Sequence, residues 1–449
     1  MKFTTKQEVL SYLQSNPQVK FVRFLFPDVL GRLMSFTVPS SEMESAFDEG
    51  KGFDGSSVEG FARIYESDLV FLPDPSTFRV IPWEYNFAGV KWYEALVFGD
   101  IFDSKGNHFP GDSRFVLKRT IEKFEKEFGK LYVGPEVEFF IFENEHSTAL
   151  TDSGGYFHSG KFGEVRKASM IYLEQMGISV ECDHHEVAPG QHEIDLKYGD
   201  ALEIADSVML AKYVLKKVAD MVSLYVSFMP KPVTGIPGNG MHLHMSLWKD
   251  GKNTFFEGDG LSKIGKQFLM GLIKYGREIQ LVLNQWINSY KRLVPGFEAP
   301  VYLAWGTKNR SAYIRVPEYR KGMETATRIE LRSPDPACNI YLALSLILGA
   351  GVQGIKEMIP IMPAQEEDIF HLTESEREKR GIGVLCENLN VALNEFKRST
   401  LAREILGEHI FNKIVENKKI EWEEYEMAVG KRYDKEVSPY EVERYLPTL

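Results

Sequence analysis

Three stretches of this chain alternate charged or imidazole residues with strongly apolar ones. In an extended strand, side chains at i and i+2 point the same way. Gly134-Pro135-Glu136-Val137-Glu138-Phe139-Phe140 therefore sets Glu136 and Glu138 on one face and Val137 and Phe139 on the other. Gly240-Met241-His242-Leu243-His244-Met245-Ser246 does the same with His242, His244 and Ser246 against Leu243 and Met245. Arg328-Ile329-Glu330-Leu331-Arg332 repeats the pattern with Arg, Glu and Arg. A weaker run, Glu181 to Val187, carries Glu186 near its end, and Glu193 follows a turn later. A solvated strand face also alternates, but it favours Lys, Thr and scattered charges over repeated Glu, His and Arg. Two glutamates side by side repel unless a cation or a proton lies between them. Acids from separate strands, met by one or two imidazoles, describe a site for hard divalent cations, Mg²⁺ or Mn²⁺ rather than Zn²⁺ or copper. Two such ions about 3.5–4 Å apart are the usual device for phosphoryl chemistry. Arginines beside them would then face phosphate, which guanidinium binds bidentately.

A second basic cluster, Lys291, Arg292, Lys308, Arg310 and Arg315, lies in a segment rich in Gly, Pro, Tyr and Trp. Glu298, between Phe297 and Ala299-Pro300, is unremarkable taken alone. There is no GxxxxGK[ST] loop, so a bound nucleotide would be held by metals and arginines. Neither a GxSxG elbow nor a Cys/His nucleophile signature is present.

These residues need elements to position them. Lys6 to Ser15 reads as a short amphipathic helix, and Phe21 to Phe26 and Leu33 to Val38 as strands joined by the turn Pro27-Asp28-Val29-Leu30-Gly31. A Gly-rich segment runs from Gly50 to Gly60, and Trp92 to Phe102 reads as a further strand. Turn residues cluster from Asp103 to Ser113. The expectation is a small, mainly β domain over 1–105 and a larger domain over 106–449. In the larger part, helices are expected at Arg114–Phe128, Glu164–Met176, Gly199–Val226 and Leu261–Asn284. The stretch Ile340–Ile355 reads as a buried helix. Asn388–Gly407 and Ile410–Val429 read as amphipathic tail helices, packed on this domain or on another subunit.

The 449 residues are 43% hydrophobic and 26% charged, as in soluble enzymes. A formal net charge of −11 argues against nucleic-acid binding. Cys182, Cys338 and Cys386 form no CxxC pair, which fits a reducing compartment. No signal-peptide core or bilayer-length apolar run is read, so no membrane association and a cytoplasmic location are expected.

Longer motifs carry a resemblance. Phe53-Asp54-Gly55-Ser56-Ser57 followed by Glu66-Ser67-Asp68, Lys231-Pro232 followed by Gly238-Asn239-Gly240-Met241-His242, the run Asn288-Ser289-Tyr290-Lys291-Arg292-Leu293-Val294-Pro295-Gly296-Phe297-Glu298-Ala299-Pro300, and Asn309-Arg310-Ser311 resemble type I glutamine synthetases. The likeness is collinear over nearly the whole chain. It implies an α+β protein: an N-terminal β-grasp domain, then a catalytic domain with a curved antiparallel sheet flanked by helices. It also implies a homo-dodecamer of two hexameric rings, with the Asp54 loop supplied to a neighbour's site. The implied reaction is ATP-dependent ligation of ammonia to glutamate through γ-glutamyl phosphate, in nitrogen assimilation. Carried over, Glu138, Glu186 and Glu193 would hold one Mg²⁺ or Mn²⁺, and Glu136, His242 and Glu330 a second. His244, Arg310, Arg315 and Arg332 would contact phosphates, with Ser246 in the nucleotide-binding motif and Tyr198 near the adenine. Arg292 would bind the substrate carboxylate, with Gly238 beside it. Asp54 would act as base toward ammonium, with Tyr156 near its pocket, and Glu298 would lie on a flap that keeps water from the acyl phosphate.

Departures from the family pattern are informative. Pro237 stands where an Asn is usual, which leaves Asn239 to supply a side-chain hydrogen bond to glutamate. The segment after Gly154-Gly155-Tyr156-Phe157 is short and lacks Pro-x-Asp. Phe370 stands where some bacterial members carry an adenylylated tyrosine, and a phenylalanine has no hydroxyl to modify. Arg63, after Gly60-Phe61-Ala62, matches members inhibited directly by glutamine, so feedback by small metabolites is expected, with a PII-type protein as candidate partner. The rivals are a ligase of the same superfamily acting on another amine or acid, a non-catalytic homologue, and a two-metal hydrolase. All six candidate metal ligands are kept, which disfavours the second; the Asp54 loop favours ammonia over the first and is superfluous to the third.

Overall fold

The computed structural model describes residues 2–58, 60, 68–258, 260–297, 299–309, 311–320, 322–430 and 434–449. Helix α1 (Lys6–Ser15) forms over the expected residues because Thr5 and Glu8 make a reciprocal capping box. Strands β1 (Val19–Pro27), β2 (Leu33–Pro39), β3 (Lys51–Asp54), β4 (Asp68–Pro73), β5 (Arg79–Val80), β6 (Tyr85–Phe87) and β7 (Val90–Asp103) form the N-terminal sheet, with α2 (Met43–Glu49) between β2 and β3. Its order is β2-β1-β7-β4-β3, with β5 and β6 on β7. The β1–β7 pair is parallel and the others antiparallel. Alternation along β1 divides its side chains. Val22, Phe24 and Phe26 enter the small domain's own core, whereas Leu25 joins the large one.

The second sheet comprises β8 (Lys130–Phe142), β9 (Val180–His185), β10 (Gln191–Leu196), β11 (Gly199–Asp200), β12 (Tyr225–Ser227), β13 (Met241–Lys249) and β14 (Lys252–Asn253). A separate hairpin, β15 (Phe256–Glu257) with β16 (Gly260–Leu261), precedes its last strands, β17 (Tyr302–Gly306), β18 (Ala312–Arg315), β19 (Ile329–Leu331) and β20 (Gly383–Val384). The path is β20-β17-β18-β19-β13-β8-β10-β9, so β8 and β13 lie at its centre. Helices α3 (Ser113–Phe128), α4 (Gly163–Gln175), α5 (Ala201–Met221), α6 (Lys263–Leu283), the short α7 (Ser289–Arg292) and α8 (Ile340–Lys356) flank this sheet. The architecture is the expected α+β one, a β-grasp domain followed by a larger domain with a curved, mainly antiparallel sheet. α8 is buried along almost its whole length, as its uninterrupted apolar run requires.

Arg114 on α3, 1% exposed, joins the two sheets. It pairs with Asp74 (3.0 Å) and Asp100 (3.1 Å) of the small domain and with Asp206 (2.9 Å) on α5. Asn339 adds a second clasp, donating to the carbonyls of Asp28 (3.1 Å) and Val29 (3.2 Å).

Local readings differ from the structure in two places. The helix expected over 199–226 ends at Met221, Ser223 adopts a positive φ of 58°, and Tyr225–Ser227 pairs with β8 instead. The β-preferring pair Tyr225-Val226 fits the sheet better than another helical turn. The tail helix expected at Asn388–Gly407 is two, α9 (Glu374–Lys379) being followed by α10 (Leu389–Arg398) and α11 (Thr400–Leu406). Ser399 ends the one and caps the other by accepting from the Ala402 amide. The tail, completed by α12 (Glu408–Val429) and α13 (Pro439–Tyr445), packs into the large core of its own chain. Among the described residues, no helix is long and apolar enough to cross a membrane.

Candidate active site

Register decides what the alternating strands present. β13 sets His242 opposite Glu136 of β8, and β10 sets Glu193 opposite Glu138. On the other side, β19 sets Glu330 opposite His244, and β18 sets Arg315 opposite Glu330. The charged faces of β8, β10, β13 and β19 therefore share one surface, which walls a cavity of about 550 Å³. All six residues expected to ligate cations line it: Glu136, Glu138, Glu186, Glu193, His242 and Glu330. Arg292, Arg315 and Arg332 line it too, as do Tyr156 and Gly238.

The six fall into two groups. Glu136, His242 and Glu330 each offer an atom within 4.8 Å of the others, with His242 Nδ1 2.9 Å from a Glu136 oxygen. Burial favours the neutral form of Glu136, yet hydrogen bonds from His242 and His244 hold it far below the usual carboxylate range. Burial would likewise raise Glu330, but Arg332 at 2.9 Å and the nearby histidines hold it low. His242 is pushed down by burial and then by Arg332, so the ring is neutral. One of its nitrogens is then free to offer a lone pair.

Glu138, Glu186 and Glu193 are bridged less directly. His184 Nε2 lies 2.9 Å from Glu193, and its Nδ1 lies 3.4 Å from Glu186. Two carboxylates directly opposite on neighbouring strands repel. Burial and the Glu186 charge push Glu138 up to about 8, and burial and Glu138 push Glu193 well above its ordinary value. The acids crowd together, an arrangement that added divalent charge would relieve.

A second cavity, of about 350 Å³, adjoins the first and shares Glu136 and Asp195 with it. Tyr198, His244 and Ser246 line it, with the rings of Tyr132 and Trp248 beside them. Arg328 donates from Nε to His244 Nδ1 (3.1 Å), so the His244 proton sits on Nε2 and points at Glu136 Oε1 (2.7 Å).

Other expected residues fall elsewhere. Asp54 ends β3 at the edge of the N-terminal sheet and lines neither cavity. Asn239 does not reach the cavity: it is fully buried, and its amide donates to Met229 O (2.9 Å) while its oxygen accepts from Gln191 (3.2 Å). The expectation that it replaces the missing Asn beside glutamate is thereby corrected. Glu298, Arg310 and Arg63 lie outside the described residues, as do Glu66 and Ser67. Arg292 is held by the carbonyls of Ser333 (2.7 Å) and Arg332 (3.1 Å), which aims its buried guanidinium along the cavity wall.

Three residues were not singled out in the sequence. Gln191 donates to Glu138 (2.8 Å), and His184 and Asp195 group with Glu193. Arg328, read in the sequence on the same face as Glu330, orients His244. The signal for Gln191 and Asp195 was present: Gln191, Glu193 and Asp195 alternate with His192, Ile194 and Leu196. Glu193 thus lies within a strand and not merely a turn after one.

Comparison with known proteins agrees with this geometry. Residues 18–104 match the model for the glutamine synthetase β-Grasp domain, and residues 110–445 that for the glutamine synthetase catalytic domain. The chain is 46% identical to a glutamine synthetase of Methanosarcina mazei, over 100% of this chain and 99% of the relative. It is 44% identical to one of Mycolicibacterium smegmatis, over 98% of this chain and 99% of the relative. Among solved structures, a Plasmodium falciparum glutamine synthetase superposes with a TM-score of 0.83 at 24% identity, covering 99% of each chain. A structure named as a GmaS/ADP complex superposes with a TM-score of 0.83 at 28% identity, over 97% of this chain and 99% of the other. The chain belongs to the glutamine synthetase family, the ligases that join ammonia to glutamate with ATP by way of γ-glutamyl phosphate.

Proposed function

We propose that the 550 Å³ cavity binds glutamate and two divalent cations, and that the adjoining 350 Å³ cavity binds ATP, with Glu136 in their common wall. The single observation that carries this reading is the convergence of acids from separate strands, with His242 among them, onto one crowded surface. Glu138, Glu186 and Glu193 would hold one Mg²⁺ or Mn²⁺, and Glu136, His242 and Glu330 the other. Bound there, the ions would neutralise the acids and the charge of the terminal phosphates.

The chain's own groups do the rest. Arg292 holds a glutamate carboxylate, beside Pro237 and Gly238. Tyr198 packs against the adenine, and His244 and Ser246 face the phosphates. A γ-carboxylate oxygen of glutamate attacks the γ-phosphorus of ATP, ADP leaves, and γ-glutamyl phosphate remains. Arg315, Arg332 and Arg310 offset the charge on the transferring phosphoryl group. Ammonium, next to Tyr156, gives a proton to Asp54, and the ammonia nitrogen attacks the acyl carbon as phosphate departs. Glu298 stands on the flap that excludes water. Asp54 reaches the site from a neighbouring subunit, which accounts for its place at a sheet edge away from both cavities. The working unit is a cytoplasmic dodecamer of two hexameric rings, with a boundary between domains at 105/106. Arg63 mediates feedback by a small metabolite, and a PII-type protein is a candidate regulator.

ADP release measured with glutamate, with and without ammonium, tests the reading. Glutamine and phosphate should form in equal amounts only when both are present, and chelation should abolish turnover. Glutamine formed at the wild-type rate by Glu330→Ala would sink it.

A further inference from the structure

Glu193 has a second set of neighbours besides Glu138 and Glu186. β9 and β10 pair so that Glu193 lies opposite His184 and Asp195 opposite Cys182. Alternation puts all four side chains on the face that walls the 550 Å³ cavity. Glu193, His184 and Asp195 each offer a ligand atom within 4.8 Å of the others. Cys182, the exposed one of the chain's three cysteines, donates from Sγ to Asp195 Oδ2 (2.8 Å). Of these four residues, the proposed Mg²⁺ ligation uses Glu193 alone.

The four donors differ in kind from the oxygen-rich sets that suit Mg²⁺. They are a thiol, an imidazole and two carboxylates, a mixture that suits Zn²⁺ and similar thiophilic cations. His184 Nδ1 faces the His185 carbonyl and Glu186 Oε1, 3.4 Å from each. A proton on Nδ1 leaves the Nε2 lone pair, 2.9 Å from Glu193 Oε1, for a cation. Among the described residues, Asp195 Oδ1 is a buried acceptor with no hydrogen-bond partner. Ligands about 2.0–2.3 Å from Zn²⁺ stand about 3.3–3.8 Å apart in a tetrahedron. The pairs Cys182–Asp195 and His184–Glu193, at 2.8 and 2.9 Å, reach that spacing by opening about 0.5–1 Å. Burial, and next the hydrogen bond to Asp195, push the thiol up to about 12, so Cys182 by itself is a proton donor and not a reactive thiolate.

We propose that Cys182, His184, Asp195 and Glu193 form a binding site for a thiophilic divalent cation of the Zn²⁺ class. On binding, Cys182 releases its proton to solvent and ligates as the thiolate. Glu193, turned toward this cation, leaves Glu138 and Glu186 without their third partner, so occupancy stops the ligation. That last step rests on the role of Glu193 in the proposed function; the site itself does not.

Two measurements on the full-length protein test this. Co²⁺ added in excess Mg²⁺, without nucleotide, should give a sulfur-to-cobalt charge-transfer band in the near ultraviolet, and Zn²⁺ should erase it. Zn²⁺, buffered against ATP, should inhibit ADP release at saturating Mg²⁺, glutamate and ammonium. Cys182→Ser should keep the wild-type rate of ADP release in Mg²⁺ alone, lose the band, and need about tenfold more Zn²⁺ or above for the same inhibition. No band in the wild type, or an unchanged band in Cys182→Ser, overturns the site. A band that depends on Cys182 while Zn²⁺ leaves ADP release untouched overturns the competition for Glu193. Were Mg²⁺ alone to support no ADP release, the proposed function would fail, while the cobalt band would still report on the site.

Discussion

Replacing Glu138 by Gln should separate stability from activity. Both hydrogen bonds to Glu138, from Gly240 N and Gln191 Nε2 (each 2.8 Å), go to the same oxygen, which the amide of Gln can keep. What the substitution removes is a charge. Burial, and next Glu186, raise Glu138 from 4.5 to about 8. Between those values the folded chain retains a proton that the unfolded chain has released, so stability falls as pH rises through that window. Each tenfold change in proton affinity is worth about 1.4 kcal/mol, so by pH 8 the loss is about 4 kcal/mol. This is a ceiling, because Glu186 and Glu193 share the same crowding. In chelator, the wild type should therefore lose stability from pH 5 to pH 8, and Glu138→Gln should lose much less. Mg²⁺ should flatten the wild-type curve and leave the variant's unchanged. Activity of the variant should fall on the order of 100-fold or more, since even groups that only support a metal ligand commonly account for 10–100-fold. Denaturant unfolding across pH, with and without Mg²⁺, reads the first effect, and ADP release reads the second. Parallel stability curves for the two proteins in chelator would refute the reasoning.

Gly240→Ala would place a Cβ 2.5 Å from Arg292 Nη2 and 3.1 Å from Glu138 Oε1. Its kcat/KM for glutamate should drop about tenfold or more, at a stability loss of about 1–3 kcal/mol; wild-type kinetics would show that Arg292 does not need that space. Arg328→Ala removes the donor that fixes the His244 ring and should raise the KM for ATP about tenfold, with the KM for glutamate nearly unchanged. Equal shifts in both constants would place Arg328 elsewhere in the mechanism. Arg114→Met leaves Asp74, Asp100 and Asp206 without their shared cation and should destabilise the chain by about 3–5 kcal/mol, read by chemical denaturation.

Much of the site is written in consecutive residues. Alternation alone placed Glu136 with Glu138, and His242 with His244 and Ser246, because the two-residue period of a strand is local. The capped helix Lys6–Ser15 and the buried helix beginning at Ile340 were legible for the same reason, since caps and apolar runs act within a few turns. The pairing of distant strands is not local. That β8 lies between β13 and β10, so that Glu138 meets Glu193 and Glu136 meets His242, follows from how the whole sheet packs against its helices. Glu193 and Asp195 were harder to place because their strand is short, and His184 enters only through its pairing with Glu193. Burial decided against Asn239, which the Asn-to-Pro change at Pro237 had suggested for substrate contact, while its amide is committed to Met229. The chemistry of each side chain is thus a property of the chain order, whereas which charges must share a cavity is set by long-range register, and only that register brings the acids close enough to need cations.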